Sequence, residues 1–416
     1  MESPRTVKRK YPELNNLWIG LFVDILGFFI ILPHLPSLVD TYSTTYFVIG
    51  ALVATNAVFM LFSAPIWGKL SDMYGRKPML LIAESGTCTA FLLLAFSNSL
   101  PMLFIARMVD GIFGGNFPIT KAVITDRVPP KDRGIQMTNF GVVFTLAGLV
   151  APGLGGFLSI FPIFGPDYPF ALLGLVAASL SFFSILITYF FITESWPKDK
   201  REKAEKQFKV KIKLGDNKDA LYLLTQYALH SFSFMMYIMT LTFFIRLILG
   251  LDTIGVSILL TISGISRAIV RFTLFKPTMK ALGEKKTTIL GLIILVVAFF
   301  LTGIFGTFYP EIWIFIVLIV FVSFGVSCSR GLLISKVTQT VSPKEMGKIN
   351  GLATTFDSLA QVIGPLLGTF LLEFNNGSLL FGIITGVTAL IALIMVFKKI
   401  IPFMQKVQFK QAEMLE

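Results

Sequence analysis

The chain has 416 residues, a formal net charge of +12, 54% hydrophobic residues and only 14% charged ones, with a mean hydropathy of +0.77. Soluble globular chains carry about 25% charged residues, so this composition excludes a soluble enzyme or binding module and points to a chain that lives in lipid. Twelve apolar stretches are long enough to cross a bilayer, which takes about 20 helical residues: 16–38, 46–69, 79–98, 101–125, 135–160, 169–193, 220–247, 253–275, 287–308, 311–336, 348–373 and 377–400. The expected fold class is therefore all-α and integral to the membrane, with twelve transmembrane helices.

In chain order, "RTVKRK" (5–10) precedes the first stretch in the manner of a signal peptide. No small-residue cleavage site follows and the stretch carries Asp24, so it reads as a retained first helix. The basic residues then crowd alternate loops: Arg76 and Lys77, Lys131 and Arg133, the run 198–213, Lys285 and Lys286, Lys344 and Lys348, and the tail residues Lys398, Lys399, Lys406 and Lys410. The intervening loops hold Asp40, Asp167, Asp252, Glu311 and Glu373, with Arg246 as the basic residue close to them. Such alternation is the positive-inside pattern and predicts both termini and the central loop in the cytoplasm, with the plasma membrane as the expected location. It also accounts for the positive charge without nucleic acid. Cys88 and Cys328 fall inside apolar stretches and read as small buried residues. With His34 and His230 as the two histidines, neither a metal site nor a cofactor is expected.

The polar interval 194–219 divides six stretches from six. An ungapped comparison of 128–158 with 341–371 matches Pro130 to Pro343, Lys131 to Lys344, Gly134 to Gly347, Pro152 to Pro365 and Gly155 to Gly368. An internal duplication follows: an N-terminal half 1–193, a cytoplasmic linker 194–219 and a C-terminal half 220–416. Two related six-helix halves suit a transporter whose substrate binds between them near the midplane.

The most specific stretch is "GKLSDMYGRKPML" (68–80), between the second and third helices. Gly68 and Gly75 permit a tight turn, Asp72 can accept from backbone N–H groups at a helix start, and Arg76 and Lys77 can reach acidic neighbours. This stretch resembles the signature loop of the major facilitator superfamily, departing from it at Met73, where a basic residue is usual. "FKPTMKALGEKK" (275–286) is a weaker echo in the second half, and "ARMVDGIFGGN" (106–116) resembles the family's helix-4 motif, with Arg107 and Gly111 in register. The resemblance implies two pseudo-symmetric six-helix halves, Asp72 set against the start of helix 11, and Arg76 reaching Asp126 to latch the halves. The opening "FVDILGFFIILPHLP" resembles helix 1 of the drug:proton antiporter branch, which includes tetracycline-type efflux pumps. "AGLVAPGLGG" (147–156) resembles its antiporter signature, with Ala147 and Ala151 where glycines are usual and Pro152, Gly155 and Gly156 retained for helix packing.

Ionisable residues inside apolar stretches are costly and mark candidate sites. Glu84, Arg267 and Arg271 lie toward helix ends and are expected to snorkel. Asp24 and Arg107 lie about 10 Å from one face at 1.5 Å per residue, and Asp110 shares a helix face with Arg107 at i+3. Asp24 is the expected proton carrier, with Arg107 and Asp110 as its modulating pair and Asp357 as the counterpart in the second half, serving either proton coupling or substrate contact. Asp357 stands opposite Phe144 in the repeat, so the duplication does not explain it. Arg330 has no assigned role, and Asn116, His230 and Gln361 are candidates for the cavity lining. No G-x-x-x-x-G-K-[ST] loop is present to draw on ATP. The expectation is a monomeric secondary transporter, with a small molecule, protons and the lipid bilayer as partners, that exports hydrophobic or cationic compounds against proton entry. A metabolite importer, or a membrane sensor built on a transporter fold, is the alternative.

Overall fold

The computed structural model describes residues 11, 14–161, 163–165, 168–197, 199, 217–341, 346–400 and 405, the side chains at 130–131, 134–135, 137–138 and 346–348 excepted. Most of the expected linker, the basic run 5–10, Asp167, Pro343, Lys344, Lys406 and Lys410 lie outside the described residues. The described chain is helical throughout. Span 1 is Asn15–Ile31, continued by a 3-10 segment, Leu32–Ser37, and a last turn, Leu38–Thr41. Span 2 is Tyr46–Tyr74, span 3 Arg76–Ala95, span 5 Pro130–Leu158 and span 6 Ala171–Phe191. Span 4 comes in two pieces, Leu100–Ile112 and Asn116–Arg127. Span 7 is Lys218–Leu249, and span 8 is Thr253–Ile269 with a π-helical turn at Val270–Leu274. The helix Phe275–Phe308 is broken at Gly283, after which span 9 begins. Spans 10, 11 and 12 are Ile312–Thr338, Met346–Leu372 and Gly377–Ile394. Ten helical segments are long and apolar enough to cross a membrane, one of them, Thr253–Phe308, holding two crossings, while the divided span 4 falls short of that length in each piece. The count is twelve.

Local chemistry sets the ends. Thr45 caps span 2 by accepting from Val48 N–H, and Asp252 caps span 8 by accepting from Gly255 N–H at 2.8 Å. Span 2 ends on Gly75, whose φ of 103° is a conformation that glycine adopts without strain. Pro33 and Pro36 remove two backbone donors and tighten the end of span 1 into its 3-10 segment.

The halves use equivalent glycines to approach closely. A Cβ on Gly155 of span 5 would lie 2.2 Å from the Ile30 carbonyl of span 1. Its repeat partner Gly368 of span 11 would meet Thr240 of span 7 at 1.9 Å. The next residues carry the contact between halves: Gly156 meets Ser257 of span 8, and Thr369 meets Gly50 of span 2. Two symmetric seams result, span 5 on span 8 and span 2 on span 11.

These seams are tight at the end away from the termini. There Asp40 pairs with Arg246, and Phe47 N–H donates to Glu373 at 2.9 Å across the halves. At the terminal end, the antiparallel register that joins Gly50 to Pro365 and Thr369 would bring Gly68 opposite Gly351, yet a Cβ on either glycine would find nothing within 4 Å. The halves are joined at the far end by these contacts, and toward the terminal end Lys121 of span 4 donates to Thr354 of span 11.

Gly111 illustrates the packing limit, because a Cβ there would stand 2.4 Å from the Asn56 carbonyl oxygen. Gly111→Ala is expected to lower the thermal midpoint of the detergent-purified protein, at a cost of about 1–3 kcal/mol for overpacking, while Gly68→Ala leaves it in place. Equal midpoints for the two variants, read by a thiol-reactive dye or by light scattering, would refute the assignment of Gly111 to helix packing.

Candidate functional site

The turn between spans 2 and 3 is built around Arg76. The residue is 6% exposed, its Nε donates to Asp126 Oδ2 at 2.9 Å, and its Nη1 lies 2.6 Å from Asp72 Oδ1 and 2.7 Å from Ser71 Oγ. Asp126 also accepts from Ser195 Oγ at 3.1 Å. Lys77 donates to the Tyr189 carbonyl at 2.7 Å. The expected cap by Asp72 is corrected: Glu194 accepts from the backbone N–H groups of Arg76 and Lys77, at 2.9 and 3.1 Å. A carboxylate arriving from beyond span 6 takes the helix N-terminus because the Arg76 guanidinium already holds Asp72. Nothing in the sequence spacing announces Glu194, which is 118 residues away from Arg76. The side chains that open span 11, against which Asp72 was expected to rest, are outside the described ones.

Besides Asp126, three acidic groups of the first half are buried among the described residues: Asp24, Glu84 and Asp110. Asp24 Oδ2 accepts from Asn116 Nδ2 at 2.8 Å. Asn116 therefore sits with Asp24, at the residue where span 4 resumes after its break. Among the described residues, Asp24 Oδ1 and Asn116 Oδ1 are both buried without a hydrogen-bond partner. Glu84 does not snorkel: it is 2% exposed, and its Oε1 accepts from Ser184 and Thr188 of span 6 at 3.0 and 2.8 Å. Those hydroxyls, one helical turn apart, give the carboxylate an internal partner that a reading of span 3 alone cannot contain. Asp110 Oδ2 takes Arg107 Nη1 at 3.2 Å and Asn56 Nδ2 at 2.8 Å. The guanidinium of Arg107 lies over the Phe28 ring, 5.9 Å from its centroid. Arg107 and Asp110 thus pair as expected from i+3 spacing, while the direct partner of Asp24 is Asn116.

In the second half Asp357 is the hub. Arg330 Nη2 stands 3.0 Å from its Oδ1, Tyr227 donates at 2.9 Å to its Oδ2, and Ser231 also donates to it. Arg330 additionally covers the rings of Tyr227 and Phe234. His230 is fully buried, with Nε2 3.4 Å from Ser329 Oγ; Gln361 is half-buried on span 11. Sequence reasoning missed Tyr227, Ser231 and, above all, Lys121. That lysine projects from span 4, donates to Thr354 Oγ1 of span 11 at 3.3 Å and lies over the Phe140 ring of span 5. A cation six residues inside the end of a crossing was signal enough, but Thr120, Thr125 and Asp126 around it make that part of span 4 look like a loop.

The packing seams, the divided fourth span and the Arg76–Asp126 pair frame the comparison with known proteins. The family model described as Major Facilitator Superfamily matches residues 17–274 and 223–413. The chain belongs to the major facilitator superfamily. It is an integral, multi-pass membrane transporter of that family's secondary type. It is 27% identical over 375 residues to the tetracycline resistance protein, class H, of Pasteurella multocida, covering 85% of this chain and 87% of that one. It is 24% identical to multidrug resistance protein 2 of Bacillus subtilis, over 89% of this chain and 92% of the relative. The crystal structure of the human organic anion transporter MFSD10 (TETRAN) superposes with a TM-score of 0.72 at 21% identity, covering 92% of this chain and 99% of that one. At that identity the likeness speaks for the fold.

Arg76 and Asp126 form a buried ion pair, with side chains 7% and 8% exposed. Removing one partner of such a pair strands the other and costs about 3–5 kcal/mol. Asp126→Asn is therefore expected to lower the thermal midpoint by several degrees, and Lys77→Gln, at an exposed contact, by far less. The reverse order would show that the pair carries little structural weight.

Proposed function

We propose that the chain is a proton-coupled exporter of amphipathic small molecules, with Asp24 carrying the proton. The observation that supports this most directly is the Asp24–Asn116 pair. One hydrogen bond joins the two side chains, and one acceptor oxygen on each is left buried without a donor. A proton taken up by Asp24 Oδ1 turns an orphaned acceptor into a donor, beside an amide oxygen that lacks one. The protonated carboxyl is neutral and suits a buried site; ionisation strands a charge there until the site opens to water. Asp24 is thus a group whose proton occupancy depends on which side the site faces.

The alternating movement runs along the two seams, between halves 1–193 and 220–416. With the halves joined at the far end by Asp40–Arg246 and Phe47–Glu373, we read this conformation as the inward-facing one, with the termini in the cytoplasm of a cell whose plasma membrane the chain crosses. In the opposite conformation, Asp72 reaches the start of span 11 and the Arg76–Asp126 pair holds the turn rigid beneath it. Arg107, Asp110 and Asp357 tune the charge balance that Asp24 meets, and Asn116, His230 and Gln361 adjoin the path. Relatives named for tetracycline and multidrug resistance support export as the direction. The energetics suffice: one charge crossing 100 mV releases about 2.3 kcal/mol, and each pH unit adds about 1.4 kcal/mol. Together they drive roughly a hundredfold gradient or more of a neutral cargo. The protein acts as a monomer, since each chain contains both halves.

Purified protein in liposomes with an imposed pH gradient tests the reading. Movement of amphipathic compounds opposite to the protons is expected for the wild type and is lost in Asp24→Asn, whereas Asn116→Ala slows it by about tenfold, the worth of one hydrogen bond to a charged group. Flux in the same direction as the protons, or full activity in Asp24→Asn, would overturn antiport through Asp24.

A further inference from the structure

Between the halves, the described side chains carry an excess of positive charge over an aromatic wall. Lys121 of span 4 lies about 9 Å inside its end of the helix at 1.5 Å per residue. It touches both halves, through Phe140 of span 5 and Thr354 of span 11, and forms no ion pair among the described residues. Arg267 of span 8 has as its hydrogen-bond acceptor its own helix's Ser263 carbonyl at 3.4 Å, and it too is without an ion pair among the described residues. Its guanidinium would stand 3.5 Å from a Cβ on Gly148 of span 5. One turn on, inside the π-helical turn, Arg271 would stand 3.0 Å from a Cβ on Gly141. Such single-turn π segments often mark functional sites. Among the described residues the acid nearest Lys121 and Arg330 in this region is Asp357, which is already engaged by Arg330, Tyr227 and Ser231. The acids of the first half are held by partners within that half: Asn116 for Asp24, Ser184 and Thr188 for Glu84, Arg107 and Asn56 for Asp110.

The aromatic wall lies alongside. Phe140 and Phe144 follow each other at i+4 on span 5, and Phe144 stacks on Phe117 with centroids 5.7 Å apart. Phe117 is itself four residues before Lys121, so the ring and the ammonium share one face of span 4. Phe144 remains 41% exposed. A flat apolar body laid on these rings would have its polar end beside Lys121. Unpaired cations at this depth are expensive, and a ligand of opposite charge offsets that cost, whereas a cationic ligand adds to it.

We propose that the region between the halves binds an amphipathic aromatic anion, a carboxylate or sulfonate, with Lys121 holding its charged end, Phe117 and Phe144 its ring, and the charge of Arg267 adding to the attraction from farther along span 5. The proposal rests on the reading of this space as the transporter's substrate path, and it replaces the cationic cargo expected from sequence with an anionic one. Lys121 binds the anion in this conformation, and its contact with Thr354 is the one the ligand displaces.

Equilibrium dialysis of the full-length protein in detergent tests it, using radiolabelled 2-naphthalenesulfonate and 2-naphthyltrimethylammonium, which share a ring system and differ in charge. The sulfonate is expected to bind at least about tenfold more tightly than the ammonium, the scale of one charge-assisted hydrogen bond. Lys121→Gln should weaken it by about tenfold, Lys121→Arg should restore it to within about threefold, and Arg267→Gln should weaken it independently. Tighter binding of the ammonium, no binding of either compound, or sulfonate binding untouched in Lys121→Gln would each overturn the proposal. Because the assay needs no gradient, its outcome separates from that of proton coupling. Sulfonate binding without proton-driven flux leaves the anion site standing and removes the antiporter reading. Proton-driven flux of the ammonium alone does the opposite.

Discussion

A polar group inside a bilayer has no water to turn to, so its hydrogen bonds must come from the same chain. Much of this molecule follows from that constraint. Glu84 is tolerable in span 3 because Ser184 and Thr188 of span 6 face it, and Asp357 in span 11 because Arg330, Tyr227 and Ser231 converge on it. Each such cluster ties together helices far apart in sequence, and so fixes their rotation as well as satisfying a charge. The places where satisfaction is incomplete are correspondingly few. Among the described residues they include the free oxygens of Asp24 and Asn116, the second oxygen of Glu84 and Nδ1 of His230, and the cations Lys121 and Arg267, which form no ion pair there.

Incomplete satisfaction is useful only where the surroundings can change, and the packing supplies that change. The glycines at 155 and 368 bring spans 5 and 11 into near-contact with the backbone or a short side chain of spans 1 and 7. This makes each half a stiff unit. The residues beside them form the seams between halves, where Gly156 meets Ser257 and Gly50 meets Thr369. The ion pair and hydrogen bond that join the halves at the far end, Asp40–Arg246 and Phe47–Glu373, are exposed, so little burial holds them in place. The Arg76–Asp126 pair, by contrast, is buried within one half. It holds the signature turn in shape independently of the contacts between halves.

Much of this was legible in the residues. Twelve apolar stretches of crossing length appear as twelve crossings, and the signature turn brings Arg76 to Asp126 as its resemblance implies. Asp24, Arg107, Asp110 and Asp357 announce themselves because a charge in an apolar run has no bland local explanation. Lys121 escaped for the converse reason: its polar neighbours disguise it. Glu84 and Asp72 were placed but mispartnered, since a helix-end position suggests water or the nearest backbone, and the actual partners come from span 6 and from Arg76.

Sequence by itself determined the helices, their number and the duplication, because hydropathy and glycine or proline spacing are local properties that a bilayer reads one segment at a time. Tertiary structure alone decided which charge meets which. Glu194 capping span 3, Asn116 on Asp24 and Lys121 between Phe140 and Thr354 depend on helix rotation and on pairing across tens to hundreds of residues. No periodicity within a single span encodes those contacts.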